Sequence, residues 1–259
     1  MRTFTFKSLF LTVLFVLLGS LAIQAADDGL ITRQITLKLD EAGPLRNMIS
    51  YDQKYLITNL KIVGKINGTD LKFIREMAGC NFYMGKTDGK LSILDLSEAK
   101  IVEGGSAYVS NSDSYWYTSN DKLGGYVFYG CSGLTSLTIP SSVTSIGYYA
   151  FWDCSGLNSI YVYPEKMPEL GTDIFNGCDA KNCIVYVPKG TDIVYWSSEF
   201  GYFEKIVEFD ATGIDKVTTS TNAKEVSRYS VNGKRLSAPA KGLNIVKYSD
   251  GSVKKVVVQ

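Results

Sequence analysis

The sequence contains no histidine at all. Histidine is the general base of Ser-His-Asp and Cys-His catalysis, and it is a ligand in many zinc sites and in two-His iron sites. Its absence therefore excludes these classes of enzyme and of metal site together. We expect a protein that is not an enzyme and that carries no cofactor.

A large imbalance of charge is absent as well. With 27 Lys and Arg against 26 Asp and Glu, the formal net charge at pH 7 is +1. This balance gives no electrostatic reason to expect nucleic acid or an anionic membrane surface as a partner.

Long apolar runs are also scarce, and the clearest one lies near the N-terminus. Leu9 to Leu18 is largely apolar, follows the basic residues Arg2 and Lys7, and precedes the small-residue site Ala22 to Ala25. This pattern predicts that residues 1–25 are a signal peptide, because the run is too short for a comfortable membrane span. The predicted mature chain is secreted or displayed on the outer cell surface, with no membrane span.

What the sequence does contain is a repeat. The segment from Leu123 to Ile139 recurs 23 residues later as Ile146 to Val162, and 8 of the 17 positions are identical. A looser third copy consists of Ile174 to Cys178 and Val185 to Pro188. One copy offers only about six large apolar side chains, worth roughly 2 kcal/mol each, against an ordering cost on the order of 1 to 2 kcal/mol per residue. The copies are therefore expected to stack and to share a core.

The repeat resembles the BspA-like leucine-rich repeat. The resemblance rests on the residue types of the repeat and on their spacing. In the second copy these residues are Ile146-Gly147, Ala150-Phe151, Cys154, Leu157, Ile160 and Val162, and Ser142 to Gly147 is the connecting segment. The resemblance implies an α/β-type solenoid that is mostly β, and a surface or secreted protein. We assign residues 91–209 to this array.

Residues 26–90 resemble the N-terminal cap of such arrays, especially at Asn67 to Leu71. A cap of this kind covers the apolar end of a solenoid. We predict two strand-plus-helix pairs in it, with Thr69 or Asp70 as the cap of the second helix and Gly79 as its end. The predicted segments are a strand over Ile31 to Leu39, a helix over Leu45 to Ile49, and a strand over Leu56 to Val63 that Gly64 ends.

Two further segments flank or interrupt the repeats. Residues 103–122 are a polar, aromatic insertion, predicted to be a surface loop that either makes contacts or folds its rings back onto the repeats.

Residues 210–259 begin with a polar linker and continue as short strands over Val226 to Val231, Gly242 to Tyr248 and Val253 to Val258, with turns at Asn232-Gly233 and Asp250-Gly251. This tail resembles the C-terminal sorting domain of surface-directed proteins in Gram-negative anaerobes, and the alternative is a small β-meander.

The five cysteines fit no metal-binding motif. Cys131, Cys154 and Cys178 occupy the same position in successive copies, so stacking is expected to align them as a ladder of buried, reduced thiols. Clusters of carboxylates such as Glu165, Glu169 and Asp173 could form a glycosidase site, but nothing in the sequence indicates that they converge.

Strand alternation predicts the binding face. Side chains between the inward-facing residues of each strand must point out of the sheet, and stacked strands lie roughly 4.8 Å apart. The predicted row consists of Asp95, Thr138, Tyr161 and Tyr186, with Tyr163 and Trp116 extending it at its edge. Two functions remain open: binding of another protein, such as one on a host or neighbouring cell, or binding of a carbohydrate by the exposed Tyr and Trp rings.

Overall fold

A computed structural model describes residues 29–111, 114–210, 225–230, 235–248 and 253–258. The predicted signal peptide, the polar linker and the two predicted turns of the tail lie outside the described residues. Within those residues, no helix is both long and apolar enough to cross a membrane.

The described chain is mostly β-structure with short helices. The strands are β1 (Ile35–Leu39), β2 (Asn59–Ile66), β3 (Ile93–Ile101), β4 (Gly104–Ser110), β5 (Tyr115–Thr118), β6 (Lys122–Leu123), β7 (Ser136–Ile139), β8 (Ser145–Ile146), β9 (Ser159–Val162), β10 (Glu169–Leu170), β11 (Ile184–Pro188), β12 (Lys205–Phe209), β13 (Glu225–Ser230), β14 (Arg235–Leu236), β15 (Gly242–Tyr248) and β16 (Val253–Val258). The helices are α1 (Leu45–Met48), α2 (Tyr51–Lys54), α3 (Gly68–Met77) and α4 (Asp192–Trp196), and a 3₁₀ turn spans Glu199–Tyr202.

The main sheet has seven parallel strands in the order β1-β2-β3-β7-β9-β11-β12. Its register aligns Leu94, Leu137, Ile160 and Val185 from neighbouring strands, and all four are buried. The predicted alternation is confirmed in β9 and β11, where the buried residues Ile160, Val162, Val185 and Val187 alternate with half-buried ones.

Each repeat also contributes a short strand to a second parallel sheet, β10-β8-β6. Leu123 and Leu170 lie on either side of Ile146 in this ladder. Gly147 follows Ile146, and a side chain there would collide with the backbone of Gly125 in the preceding repeat. Glycine is therefore required at this position by the close approach of two repeats.

The core of the repeats is a stack of phenylalanine rings. Phe151 lies parallel to Phe128 at a centroid distance of 5.8 Å and to Phe175 at 5.6 Å, with interplanar angles of 7° and 9°. All three rings are essentially buried. At the far end, Phe175 packs against Phe200 and Phe203, each at 4.9 Å, so aromatic side chains close the stack.

The N-terminal segment differs in detail from its prediction. Strand β2 continues through Gly64 to Ile66, because Gly64 adopts a φ of +98° and brings no side chain against the backbone of Leu39. Helix α3 is capped by Asn67 rather than by Thr69 or Asp70: the Asn67 side chain accepts from Thr69 N, and the Asp70 carboxylate accepts from Asn67 N. The predicted end of this helix near Gly79 is confirmed, since Ala78 is its C-cap.

The predicted insertion loop is largely a β-hairpin formed by β4 and β5. Tyr108 and Val109 are buried in it, and the Tyr108 hydroxyl donates a hydrogen bond of 2.8 Å to the carbonyl of Gly125. The loop prediction was wrong because the polar and glycine-rich composition of this segment conceals five buried positions, four in β4 and one in β5. The hairpin contacts the first repeat through Tyr108 and Trp116.

In the tail, the described strands form an antiparallel sheet in the order β14-β13-β15-β16. The strands predicted at Gly242 to Tyr248 and Val253 to Val258 are confirmed. Arg228 of β13 donates to Asn244 of β15 at 3.1 Å and forms an ion pair with Glu225, and Val246 is fully buried. The sheet therefore has a covered side.

Candidate binding face

One residue from each strand of the main sheet lies in a continuous row on the side opposite the apolar core. Strand pairing places these residues directly beside one another, in the order Thr36, Lys61, Asp95, Thr138, Tyr161, Tyr186 and Val207. We call this row, together with Tyr163 and Phe209, the strand face. The row spans seven strands, a length of roughly 29 Å at the usual strand spacing.

The half of the strand face on β9, β11 and β12 is aromatic and apolar. The rings of Tyr161 and Tyr186 stack with a centroid distance of 4.5 Å and an angle of 7°. Phe209 meets Tyr161 and Tyr163 edge-on at 6.0 and 5.1 Å, and Val207 is 45% exposed. Burial and the neighbouring Tyr186 raise the pKa of Tyr161, so its hydroxyl stays protonated at neutral pH.

The half of the strand face on β2 and β3 is charged. Lys61 Nζ lies 2.7 Å from Glu98 Oε1 and 3.3 Å from Asp95 Oδ2. Burial alone would lower the pKa of Lys61, but the hydrogen bond to Glu98 and the charge of Asp95 outweigh it and raise the pKa. Asp95 also accepts a 2.8 Å hydrogen bond from Ser97 N, which holds its carboxylate in place.

Thr138 joins the two halves and is largely covered, with 9% of its surface exposed. Thr138 therefore offers little surface for contact with a partner. Burial raises the pKa of Tyr163, and so does the charge of Asp95, whereas Lys61 lowers it.

Trp116 does not lie in the row. It belongs to a separate group of rings on the turns that precede β7 and β9, and we call this group the turn cluster. Trp116 packs against Tyr126 at 5.3 Å and against Tyr148 at 5.2 Å. The other members of the turn cluster are Tyr129, Tyr149 and Trp152.

Sequence reasoning missed the turn cluster, although the repeat contains a signal for it. Tyr126 and Tyr149 occupy the same repeat position and both have positive φ, at 59° and 55°, and Asp173 has 56° in the third copy. This backbone conformation favours Gly, Asn or Asp and costs a tyrosine of order 1 kcal/mol or more. The contacts among the rings offset that strain.

The rings of both groups pack against one another, which reduces the free ring surface that sugar stacking needs. Tyr161 and Tyr186 each cover one face of the other, and in the turn cluster Tyr148 and Trp152 approach Tyr149 edge-on. Sugar binding to aromatic residues relies on free ring faces. The geometry does not favour the carbohydrate alternative.

The repeat cysteines form the expected ladder. Cys154 Sγ donates to the Phe128 carbonyl at 3.1 Å, and Cys178 Sγ donates to the Phe151 carbonyl at 3.3 Å, so each thiol bonds to the preceding repeat. Burial raises the pKa of Cys154 well above its ordinary value and that of Cys178 to about 12. All five cysteines are buried, so the predicted burial of Cys131 and Cys154 is confirmed.

The described residues hold no cluster of three or more Cys, Asp or Glu side chains that could bind a metal ion. The carboxylates of Glu165, Glu169 and Asp173 are therefore not gathered into such a group. Asp173 instead accepts a hydrogen bond of 2.9 Å from the side chain of Asn176.

Comparison with known proteins agrees with the repeat geometry. Residues 121–237 match the family described as the BspA type leucine rich repeat region, in six copies. The match begins after β5 and includes the stacked phenylalanines and the thiol ladder. A search of curated proteins finds no significant match to the chain. The segment 121–237, somewhat less than half of the sequence, is thus similar to BspA type leucine-rich repeats, a kind of repeat that generally mediates protein recognition.

Proposed function

We propose that this is an exported recognition protein whose strand face binds another protein, on a host or neighbouring cell. The observation that carries the proposal is the row of one outward residue from each of seven parallel strands, running from Thr36 to Val207. Solenoids use such strand faces as extended binding surfaces.

The two halves of the strand face suit a protein partner better than a small ligand. The half-buried Tyr161 and Tyr186 supply contact area at low entropic cost, as interface tyrosines do. The cluster of Lys61, Asp95 and Glu98 at the other end supplies fixed charges that select orientation more than they add affinity. A row of roughly 29 Å also matches the width of a typical protein interface better than a single sugar or metabolite.

The proposed architecture is a solenoid with an N-terminal cap. Stacking of Phe128, Phe151 and Phe175 supports a common core that passes from one repeat to the next. The buried, hydrogen-bonded Asp70 and Arg75 support a segment that ends the array rather than continuing it. We keep residues 26–90 as the proposed cap and 91–209 as the proposed array.

The binding proposal is tested by a double substitution, Tyr161→Ala with Tyr186→Ala. The matched control is Tyr83→Ala with Tyr117→Ala, since these tyrosines are 75% and 59% exposed but lie off the strand face. Immobilised wild-type and control proteins should retain the same partner from cell-surface protein fractions, and the strand-face variant should lose it at least tenfold. Equal retention by both variants, each shown to be folded by circular dichroism, would place the binding site elsewhere.

Export is tested separately, by N-terminal sequencing of the protein recovered outside the cytoplasm. We expect the mature chain to start near Ala26. Retention of residues 1–25 in that fraction would contradict the proposed signal peptide.

The tail is proposed to act in sorting to the surface. A chain that lacks residues 213–259 should fold but remain in the periplasm, which fractionation with an antibody to the repeats can detect. Normal surface display of the shortened chain would show that the tail has a structural role only.

A further inference from the structure

A buried arginine lies between helix α3 and the first repeat. Arg75 is 0% exposed, and its guanidinium donates to the carbonyls of Tyr126 at 2.8 Å, Val127 at 2.9 Å and Tyr129 at 3.3 Å. Its Nε has no hydrogen-bond partner, and no carboxylate of the described residues lies within ion-pair distance. A buried cation of this kind needs a negative charge nearby to offset its lost hydration.

The ionisable group that touches Arg75 is the thiol of Cys80. The Sγ atom of Cys80 lies 3.4 Å from Arg75 Nη2 and is 2% exposed. It faces the first repeat, where a Cβ placed on Gly130 would lie only 3.2 Å from it. Cys131 follows Gly130 directly in the chain, and the Cys80 and Cys131 thiols each shift the pKa of the other. Two thiols and one unpaired cation therefore share a buried site.

This environment shifts the pKa values of the two thiols in opposite directions. The hydrogen bond from Cys131 lowers the pKa of Cys80 to about 7, with burial opposing it and the charge of Arg75 assisting it. Burial raises the pKa of Cys131 well above its ordinary value. Such an asymmetric pair, with a thiolate beside a cation and a protonated thiol next to it, is the arrangement found in reactive dithiols.

The other thiols of the chain lack these features. Cys183 is fully buried without an arginine contact, and burial raises its pKa to about 12. Cys154 and Cys178 are bonded to backbone carbonyls in the ladder. They provide internal controls for reactivity within one folded protein.

Cys80 lies at the base of a short turn. Residues 80 to 86 close on themselves through the bridge between Cys80 and Lys86, and the Asn81 side chain accepts from the backbone N–H groups of Tyr83 and Gly85. Tyr83 at its tip is 75% exposed, and Met84 has a φ of +63°. Local opening of this turn would expose Cys80 without breaking the main sheet.

We propose that Cys80 and Cys131 are a redox-active dithiol that a low-molecular-weight disulfide converts into a cross-link between the turn after helix α3 and the first repeat. The Cys80 thiolate attacks one sulfur of the disulfide RSSR, forms a mixed disulfide and releases one RS⁻. The Cys131 thiol then loses its proton and attacks the Cys80 sulfur, which releases the second RS⁻. Both protein thiols are oxidised, and RSSR is reduced to two RSH.

The test treats the full chain at pH 7 with oxidised glutathione, quenches with acid and alkylates the remaining thiols after unfolding. Peptide mapping should find the Cys80–Cys131 cross-link, with Cys154, Cys178 and Cys183 still alkylated. The rate at Cys80 should exceed that at Cys154 or Cys178 at least tenfold, because the lowered pKa of Cys80 gives it a larger thiolate fraction at neutral pH than a cysteine of ordinary or raised pKa.

Single Cys→Ser variants test whether Cys80 reacts before Cys131. Cys131→Ser should accumulate a glutathione adduct on Cys80, Cys80→Ser should leave Cys131 unmodified, and Cys183→Ser should cross-link as the wild type does. The wild-type protein decides the outcome even if a variant does not fold. Oxidation of all five cysteines at similar rates, or a folded protein whose Cys80 and Cys131 both remain free, would overturn the proposal.

Discussion

The repeats and the segment that precedes them are stabilised in different ways. Between residues 123 and 209, the one buried polar side chain among those that the structure describes is Thr138, at 9% exposure, and the core is apolar. Between residues 29 and 90, by contrast, Lys54, Asp70 and Arg75 are all buried. Lys54 pairs with Glu76 and lies over the rings of Tyr55 and Phe73 at 5.0 and 4.9 Å.

This difference between the two regions shows which parts of a core a repeated sequence can specify and which parts it cannot. In a repeat, the equivalent residues of neighbouring copies pack against each other, as Phe128, Phe151 and Phe175 do. A short sequence pattern can therefore build a core of any length. The first unit has no preceding copy to pack against. Its burial is instead specified by individual hydrogen bonds, such as those of Asp70 to the N–H groups of Gly43 and Leu45.

The largest effect is expected in the middle of the ring stack. Phe151→Ala removes a ring packed on both sides and should lower the free energy of unfolding by about 3 to 5 kcal/mol through cavity formation. Chemical denaturation measures this, with Tyr117→Ala on the exposed hairpin as the control. A loss below about 1 kcal/mol would show that the stack does not hold the repeats together.

In the preceding segment, the corresponding test is Asp70→Ala. The carboxylate is fully buried and accepts three backbone N–H groups, from Gly43, Leu45 and Asn67, at 2.6, 3.0 and 3.0 Å. Leaving these donors without a partner should cost about 3 kcal/mol. The comparison variant Asn67→Ala removes one cap bond and should cost about 1 kcal/mol. Equal effects of the two variants would contradict a central role for Asp70.

The pH dependence of the free energy of unfolding distinguishes Cys80 from the buried thiols of the repeats. The folded-state pKa of Cys80 lies at about 7, below the ordinary value of 9.0. Its contribution to the free energy of unfolding is therefore present above pH 9 and is lost as the pH falls through 7. The raised pKa values of Cys131, Cys154, Cys178 and Cys183 act in the opposite sense, because the unfolded chain ionises them first.

The free energy of unfolding should therefore rise between about pH 6.5 and pH 8 and fall above about pH 9. The rise amounts to at most about 2 kcal/mol, since one pKa unit corresponds to about 1.4 kcal/mol. Cys80→Ala should abolish the rise and leave the fall. Parallel titration curves for this variant and the wild type would contradict the thiolate assignment.

The smallest effect is expected in the thiol ladder. Cys154→Ala removes one sulfur and a weak hydrogen bond, but the Phe128 carbonyl still accepts from Cys131 N at 3.0 Å. The loss should be about 1 kcal/mol, measured by thermal unfolding under reducing conditions. A loss as large as that of Phe151→Ala would mean that the thiols, rather than the rings, set the register of the repeats.

Apart from the turn cluster, the details that sequence reasoning missed lie outside the strict repeat. Asn67 rather than Thr69 or Asp70 is the N-cap of α3, and Asp70 completes the capping box and also binds the turn at Gly43 and Leu45. The hairpin of β4 and β5 was predicted as a loop because its glycines and serines are typical of loops. The burial of Tyr108 depends on a contact with Gly125 that lies 17 residues away.

The sequence by itself determined the elements that recur at a fixed spacing. The inward residues of the repeat strands, the stacked phenylalanines and the aligned thiols follow from a period of 23 residues and from strand alternation. Only the tertiary structure decided which unlike segments meet: Phe209 against Tyr161 and Tyr163, Trp116 in the turn cluster, and Cys80 against Arg75. The physical reason is that a repeated contact is encoded twice within a short stretch of chain, whereas a contact between unlike segments is encoded once, in residues far apart.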